Sequence, residues 1–258
     1  MIEDLATLMQ SARDLLWVGF IVFLRVGGTM AVMPAFGEMM VPTRVKLGLT
    51  FAFTLIVMPG ALPFVNTPDT SLPVAVWMFA EIVIGLFIGL MLRLFILCLQ
   101  IAGTIAAQST SLSQLFGGTT GEPQPAVGEL LVLAGLAISV HLGLHVKVTE
   151  IFLGSYQALP PGAFPDADLF RQWGLGGISR AFALGFSIAA PFVIAGLIYN
   201  VALGAINRAM PQLMVSMIGA PAQTLGGLAL LMIALPTGLV VWNDAFDAFL
   251  ANPFEVLR

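Results

Sequence analysis

The sequence predicts an all-α integral membrane protein of about six apolar helical segments, and three observations carry this prediction. The 258 residues are 59% hydrophobic and 9% charged, with a mean hydropathy of +0.99, whereas about 25% of the residues of a soluble domain are charged. Apolar runs of helical length alternate with stretches rich in Pro and Gly. Arg208 is the only charged residue between Arg180 and Asp244. Because a guanidinium is costly among lipid tails, Arg208 is expected to face protein, water or a partner.

Six apolar runs define the expected helices in chain order. About 20 helical residues cross about 30 Å of hydrocarbon, so the runs are long enough to span a membrane. The first run is expected to be retained, because the chain opens with the acids Glu3 and Asp4 instead of the basic segment of a signal peptide. The runs cover residues 15–33, 46–63, 74–104, 126–148, 181–205 and 210–241. The expected loops are residues 34–42, 59–73, 117–125 and 160–165, the last followed by Gly174, Gly176 and Gly177.

Composition and motif content exclude several function classes. The formal charge of −4 is spread thinly without a basic stripe, so nucleic acid is not an expected partner. Cys98 is the only cysteine, which excludes an internal disulfide and a cysteine-based zinc site. His141 and His145 are expected on one helical face, but Leu142 breaks the catalytic zinc pattern and no third ligand is placed, so no metal is predicted. No phosphate-binding loop or catalytic triad pattern is visible, so neither catalysis nor a cofactor is expected.

Charged residues and prolines interrupt the apolar runs. Arg25 lies in the first run, and Glu81 and Arg93 lie in the third. Helices with such groups need protein neighbours, because lipid offers them no hydrogen-bond partners. Small residues four apart permit close helix contact, although they fit packing inside one bundle as well as packing between subunits. The interrupting prolines are Pro191, Pro211, Pro221 and Pro236, and the small-residue stripes include Gly85 with Gly89 and Ala181 with Gly185.

Residues 107–125 differ from the rest of the chain. They consist largely of uncharged hydroxyl and amide side chains followed by a glycine-rich patch. Such groups are not left in hydrocarbon, and they suit a loop that lines or blocks an aqueous path. Loops of this composition are also common as ordinary exposed connections. The residues by themselves leave both interpretations open.

Three groups of short motifs follow one another along nearly the whole chain. The first comprises Phe-Leu-Arg-Val-Gly-Gly at residues 23–28, Pro-Ala-Phe-Gly at 34–37 and Val-Pro-Thr-Arg-Val-Lys-Leu-Gly-Leu at 41–49. The second is Glu-Ile-Val-Ile-Gly-Leu at residues 81–86 with Gly89, and the third is Leu-Gly-Ala-Ile-Asn-Arg-Ala-Met-Pro-Gln at 203–212 with Gly-Ala-Pro at 219–221. In this order and spacing they resemble the FliR family, the flagellar and injectisome type III export-gate proteins.

The resemblance implies an all-α gate subunit without enzymatic activity, in a helical ring-like core at the base of a flagellum. The family's chain is similar to a FliP-like part, here residues 1–150, followed by a FliQ-like part, here residues 151–258. The implied partners are FliP-like and FliQ-like gate subunits, FlhB-like and FlhA-like export components, the membrane, and unfolded flagellar export substrates. The implied location is the bacterial inner (cytoplasmic) membrane, within the flagellar basal body.

The resemblance also implies two sets of functional residues. In that family the loop after the third segment acts as a plug in the closed channel, and the buried polar groups are sheltered by neighbouring subunits. The plug or gate set is Ser109, Ser111, Leu112, Leu115, Phe116, Gly117, Gly118, Glu122 and Pro123. The assembly set is Arg25, Arg44, Glu81, Arg93, Asn207, Arg208, Pro211, Gln212, Gly219 and Pro221. The chain departs from the family's frequent pattern at two places. It has Tyr199-Asn200 where the family often has an acidic residue, and Glu122-Pro123 where the family commonly has Asp-Pro.

A secondary transporter for a small anionic solute is the alternative function. Arg208 and the Pro-broken last helices would then form an anion site at the membrane midplane. Transporters of this kind carry matched interrupted segments in two halves of the chain. The prolines of residues 191–236 have no clear counterpart in residues 1–125, which disfavours this alternative. A scaffolding membrane protein without any flux is a third possibility.

Overall fold

The computed structural model describes residues 2–38, 40–65, 74–109, 126–210 and 215–255. Within these ranges the chain forms helices joined by turns and contains no strand, which confirms the predicted all-α class. The helices are α1 (Ile2–Val32), α2 (Thr43–Ala61), α3 (Val74–Ser109), α4 (Ala126–His141), α5 (Leu144–Ala158), α6 (Ala167–Ala209) and α7 (Val215–Ala251).

Five of the described helices are long and apolar enough to cross a membrane, and a sixth span results if α4 and α5 together count as one broken span. These numbers confirm the prediction of an integral membrane protein with about six apolar segments. Helix α6 has 43 residues, which at about 1.5 Å per residue exceeds twice the hydrocarbon thickness of about 30 Å. An upright α6 therefore extends well beyond the apolar layer.

Two predicted boundaries are wrong. Residues 126–148 were expected to form one helix, but α4 ends at His141 and α5 begins after Gly143, whose φ of +81° belongs to the left-handed region that favours glycine. The glycines at 174, 176 and 177 were expected in a loop, but they lie inside α6. Packing overrides their low helix propensity, because Trp173 is buried beside Phe87 and Phe254.

The chain packs into two compact units. The first comprises Met1–Arg93, Leu142–Gly177 and Phe249–Arg258, and the second comprises Leu94–His141 and Ile178–Ala248. This division follows packing, and the division of the sequence near residue 150 into FliP-like and FliQ-like parts stays a prediction.

In the first unit, α1 and α3 touch backbone to backbone. A Cβ on Gly28 would lie 2.7 Å from the carbonyl oxygen of Ile82, and one on Gly89 would lie 2.7 Å from that of Thr29. The Thr29 hydroxyl donates a 2.8 Å hydrogen bond to the carbonyl of Gly85. Small residues permit such close helix contacts in membranes. The predicted stripe of Gly85 and Gly89 thus serves packing inside the chain.

In the second unit, Trp242 of α7 occupies the core. Its side chain is fully buried and stacks on Phe246, and its indole N–H donates to the carbonyl oxygen of Phe95 over 2.7 Å. A donor that is buried this deeply needs a partner, and the carbonyl on α3 supplies it. Helices α3 and α4 also meet at glycines, since a Cβ on Gly103 would collide with Gly128.

Candidate functional site

The structure joins Arg25 of α1 and Glu81 of α3 in an ion pair inside the first unit. Arg25 Nε donates to Glu81 Oε2 over 2.7 Å, and Nη2 donates to Oε1 over 3.0 Å. Both side chains are fully buried. Two parallel N–H···O bonds between a guanidinium and a carboxylate combine charge with geometric specificity, which makes this the strong form of such a pair.

The rest of the Arg25 guanidinium is held by α5 and by the turn that follows α5. Nη1 donates to the hydroxyl oxygen of Ser155 and Nη2 to the carbonyl oxygen of Leu159, each over 3.0 Å. The ring of Tyr156 lies under the guanidinium, with its centroid 4.0 Å from Cζ. A desolvated cation over an aromatic face is attracted by the quadrupole of the ring. Arg25 therefore links α1 to both α3 and α5.

Glu81, the other member of the ion pair, also contacts the turn that follows α5. The backbone N–H of Gly162 donates to Glu81 Oε1 over 3.1 Å. Gly162 has a φ of +74°, and a Cβ at this position would collide with the indole of Trp77. Only glycine fits this conformation and this space. The ion pair therefore positions the turn between α5 and α6 through Leu159 and Gly162.

These contacts correct the expectation that partner subunits shelter Arg25 and Glu81. Removing two charges from water carries a large penalty, and excellent geometry with additional hydrogen bonds is needed to offset it. Here both requirements are met inside one chain, because α1 and α3 approach closely enough for the two side chains to meet. The pair is thus a structural centre of the first unit.

Arg93 and Arg44 have different surroundings from Arg25. Arg93 Nη1 donates to the carbonyl oxygen of Val32 over 3.2 Å and lies 3.7 Å from Glu38 Oε1. The side chains of Arg93 and Glu38 are 35% and 29% exposed, so this pair is not enclosed within the chain. Arg44 lies exposed in the first turn of α2. Both arginines are accessible to a partner on the surface of the first unit.

The C-terminal part of the assembly set is also exposed. Asn207 and Arg208 lie in the last turn of α6 with exposed side chains. Among the described residues, Arg208 has no ion pair. Gly219 is buried, and its carbonyl oxygen accepts a hydrogen bond from the Tyr199 hydroxyl. The structure thus assigns a contact to Tyr199, a position at which the sequence departs from the family's frequent pattern. Pro221 lies exposed in α7, whereas Pro211 and Gln212 lie outside the described residues.

Only the first residue of the plug set lies in the described part of the chain. Ser109 is the last residue of α3, and its hydroxyl donates to the carbonyl oxygen of Ile105 over 2.8 Å. The carbonyl oxygen of Ser109 accepts a 3.0 Å hydrogen bond from the side-chain amide of Gln223 in α7. The other plug residues lie outside the described residues; they are Ser111, Leu112, Leu115, Phe116, Gly117, Gly118, Glu122 and Pro123.

A cavity of about 290 Å³ adjoins Ser109 in the second unit. Gly196 of α6 and Gln223 of α7 line it together with Tyr199. A Cβ on Gly196 would lie 2.6 Å from the carbonyl oxygen of Ser109, so the backbones of α3 and α6 are in contact at this point. The end of α3 is thus held by two other helices.

The histidine pair does not share a helical face. His141 is the last residue of α4, and His145 belongs to α5 beyond the break at Gly143. The expected common face is therefore wrong, because it assumed an unbroken helix. Within the described ranges, no group of three or more His, Cys, Asp or Glu side chains is placed to hold a metal ion.

Sequence reasoning missed Ser155, Tyr156 and Gln223. Each is a common residue type in an ordinary helical context, and its role depends on a partner far away in the chain. The one available signal was polarity within an apolar segment, which predicts a protein neighbour but does not identify it.

Comparison with known proteins gives a consistent result along nearly the whole chain. The chain is 30% identical to the flagellar biosynthetic protein FliR of Caulobacter vibrioides over 238 residues, which cover 91% of this chain and 94% of that protein. It is 31% identical to the protein of the same name from Aquifex aeolicus over 232 residues, covering 88% of each chain. The corresponding Bacillus subtilis protein is 24% identical over 246 residues, covering 93% and 94%. The family model described as bacterial export proteins, family 1, matches residues 16–249, and the chain therefore belongs to this family.

Proposed function

We propose that the chain is a structural gate subunit of the flagellar type III protein export channel, helping to form the pore through which unfolded flagellar proteins are secreted. The observation that carries the proposal is the match to flagellar biosynthetic proteins of distant bacteria over about nine tenths of the chain. The chain contributes packing and gating and performs no chemistry of its own. Its location is the bacterial inner membrane, in the flagellar basal body.

The unequal burial of the helices supports a role within an assembly. The spanning window of α3 is 56% buried inside the chain, whereas that of α7 is 11% buried. Lipid or other subunits would therefore cover most of that window of α7. Exposed Asn207 and Arg208 at the end of α6 favour subunits there, because polar side chains at an apolar surface need hydrogen-bond partners. FliP-like and FliQ-like gate subunits are the partners proposed for this surface, with FlhB-like and FlhA-like components nearby.

A substitution at Arg208 tests the assembly role. Arg208→Ala is expected to reduce co-purification of the FliP-like and FliQ-like subunits in mild detergent, because it removes an exposed cation that has no ion pair among the described residues. Arg171→Ala is the matched control, since Arg171 is exposed and forms an ion pair with Asp168 three residues earlier in α6. Equal recovery of partners with both variants would contradict the assembly role of Arg208.

We further propose that residues 109–123 plug the resting channel. A pore wide enough for unfolded chains needs a movable obstruction to retain ions, and a polar, glycine-rich sequence suits that purpose. Deleting residues 110–120 is expected to raise the resting ion leak of cells that carry the complete export apparatus. Replacing residues 110–120 with a Gly/Ser sequence of equal length keeps the length of the segment and removes its native side chains. Comparing the two variants therefore shows whether the length or the side chains retain the ions. An unchanged leak in both variants would count against the plug.

The family membership does not favour the alternative of a small-anion transporter. Arg208 lies exposed in the last turn of α6, a position that suits a contact with another subunit. Reconstitution of the isolated chain in vesicles distinguishes the two functions. Specific uptake of a small anion by the chain alone would overturn the gate proposal. Secretion of flagellar proteins that returns when the chain is put back into a strain lacking it supports the gate proposal.

A further inference from the structure

An unpaired carboxylate, that of Glu129, lies on the exposed face of α4. Among the described residues it has neither an ion pair nor a hydrogen bond, and its side chain is exposed. Its neighbours on this face are apolar, since Leu130 and Leu133 are 50% and 64% exposed. Residues 94–140 contain no Lys, Arg or His, so this part of the chain offers Glu129 no cation.

The contact between α3 and α4 fixes the position of Glu129 along the second unit. A Cβ on Gly103 would collide with Gly128, the residue before Glu129. A Cβ on Gly135 would collide with Leu99. Rising positions of α4 thus meet falling positions of α3, so the two helices run in opposite directions. Glu129 therefore lies at nearly the same level as Gly103.

Helix α6 runs beside α3 in the same direction. A Cβ on Gly185 would lie 3.1 Å from the carbonyl oxygen of Cys98. A Cβ on Gly196 would lie 2.6 Å from the carbonyl oxygen of Ser109. Both pairs are separated by 87 positions, so Gly103 is level with about residue 190 of α6.

This level lies within the apolar layer of a membrane that α6 crosses. Arg180 and Arg208 enclose an uncharged stretch, residues 181–207. At about 1.5 Å per residue the two arginines are about 42 Å apart, and residue 190 is about 15 Å from Arg180. A hydrocarbon layer of about 30 Å that contains neither arginine therefore includes residue 190. At this depth the carboxylate of Glu129 needs protein or water beside it, because lipid tails do not solvate a charge.

The exposed face of α3 is polar around the same depth. Gln100, Thr104 and Gln108 are four positions apart and therefore form a polar strip on one face of α3. Gln100 and Gln108 are exposed, and the Thr104 hydroxyl donates to the carbonyl oxygen of Gln100 over 2.8 Å. Counted from the glycine contact of the two antiparallel helices, the polar strip and Glu129 lie on the same side of α3 and α4. The amides and the carboxylate therefore belong to one polar surface.

We propose that Glu129 and the polar strip of α3 line the aqueous path of the export channel, and that Glu129 gives the open path a preference for cations. The proposal rests on the proposed gate function, which supplies the path. Water is the favoured neighbour because the strip extends the polar surface over about 12 Å of α3, whereas an ion pair with another subunit needs only one position. Carboxylates that line a pore favour cations.

Cysteine labelling tests whether this surface meets water. Glu129→Cys and Gln108→Cys are made separately in a Cys98→Ser background, since Cys98 is the only native cysteine. Membrane fragments with the complete export apparatus are treated with a charged methanethiosulfonate, which stays in water and reacts with the thiolate. Both cysteines are expected to be labelled. Leu131→Cys, on the buried face of α4, is the matched control and is expected to stay unlabelled. An unlabelled Glu129→Cys would overturn the proposal.

The role of the charge is tested in the variant that lacks residues 110–120, in which a resting leak is expected. In this background Glu129→Gln is expected to lower the ratio of potassium leak to chloride leak, and Glu129→Lys is expected to lower it further. Glu150→Lys is the matched control, because Glu150 is an exposed carboxylate of α5 in the first unit. It is expected to leave the ratio unchanged. A ratio that is the same with and without the Glu129 substitutions would overturn the cation preference.

Two further outcomes separate this proposal from the gate function. If Glu129→Gln stays in the membrane but no longer co-purifies with the partner subunits, Glu129 pairs with a cation of another subunit, and the aqueous path along Glu129 is overturned. If deletion of residues 110–120 causes no leak, the plug proposal fails, and the labelling of Glu129→Cys alone decides whether this residue meets water.

Discussion

Removing Glu81 should destabilise the first unit far more than removing any exposed charge. In Glu81→Leu the Arg25 guanidinium stays fully buried and keeps only Ser155 and the carbonyl of Leu159 as hydrogen-bond acceptors. Breaking a buried ion pair by removing one partner costs about 3–5 kcal/mol. Since about 1.4 kcal/mol corresponds to a tenfold change in an equilibrium constant, the ratio of unfolded to folded chain should rise by about two to three and a half orders of magnitude.

The double variant Arg25→Met with Glu81→Leu should cost less than the sum of the two single variants. Two independent losses would amount to about 6–10 kcal/mol. With both charges gone, the unpaired polar groups are the Leu159 carbonyl and the Gly162 N–H, because Ser155 still donates to the carbonyl of Phe152. Each such group costs about 1–3 kcal/mol, so the double variant should lose about 2–6 kcal/mol.

The assay is equilibrium unfolding of the purified chain in mild detergent with increasing amounts of a denaturing detergent. Arg93→Gln is the control, because its pair with Glu38 is 3.7 Å long and partly exposed. Exposed pairs of this kind contribute about 0–1 kcal/mol. The reasoning is refuted if Glu81→Leu is as mild as Arg93→Gln, or if the effects of Arg25→Met and Glu81→Leu simply add.

Three further predictions concern single contacts. Gly85→Val should prevent accumulation of folded chain, because a Cβ at this position collides with the backbone of α1. Gly48→Val should be tolerated, because the space around Gly48 is open. Immunoblots of membranes compare the amounts of the two variants, and similar amounts would refute the collision argument. Trp242→Phe removes the donor to the carbonyl of Phe95 and should cost about 1–3 kcal/mol in the same unfolding assay, and no loss would show that the hydrogen bond does not matter. Tyr199→Phe removes the donor from α6 to α7 and should cost about 0.5–1.5 kcal/mol; a larger loss would point to a role for the hydroxyl beyond this hydrogen bond.

The candidate sites show where sequence-based prediction succeeded and where it failed. Arg25 and Glu81 were identified as needing partners, because charges in apolar runs cannot remain unpaired. Their partners were expected in other subunits, yet each pairs with the other across 56 residues. Ser109 was assigned to the plug set, but its contact with Gln223 of α7 had no signal in the sequence.

The sequence by itself determined that this is an all-helical membrane protein of about six apolar segments, because hydropathy and segment length act locally and need no knowledge of neighbours. Its motifs also indicated the family. Only the tertiary structure decided that α4 and α5 are separate, that α6 runs through three glycines, and that Arg25 meets Glu81 at the contact between α1 and α3. These outcomes depend on contacts between distant segments, where packing and desolvation outweigh local propensity, and a linear pattern carries no record of which helix face meets which.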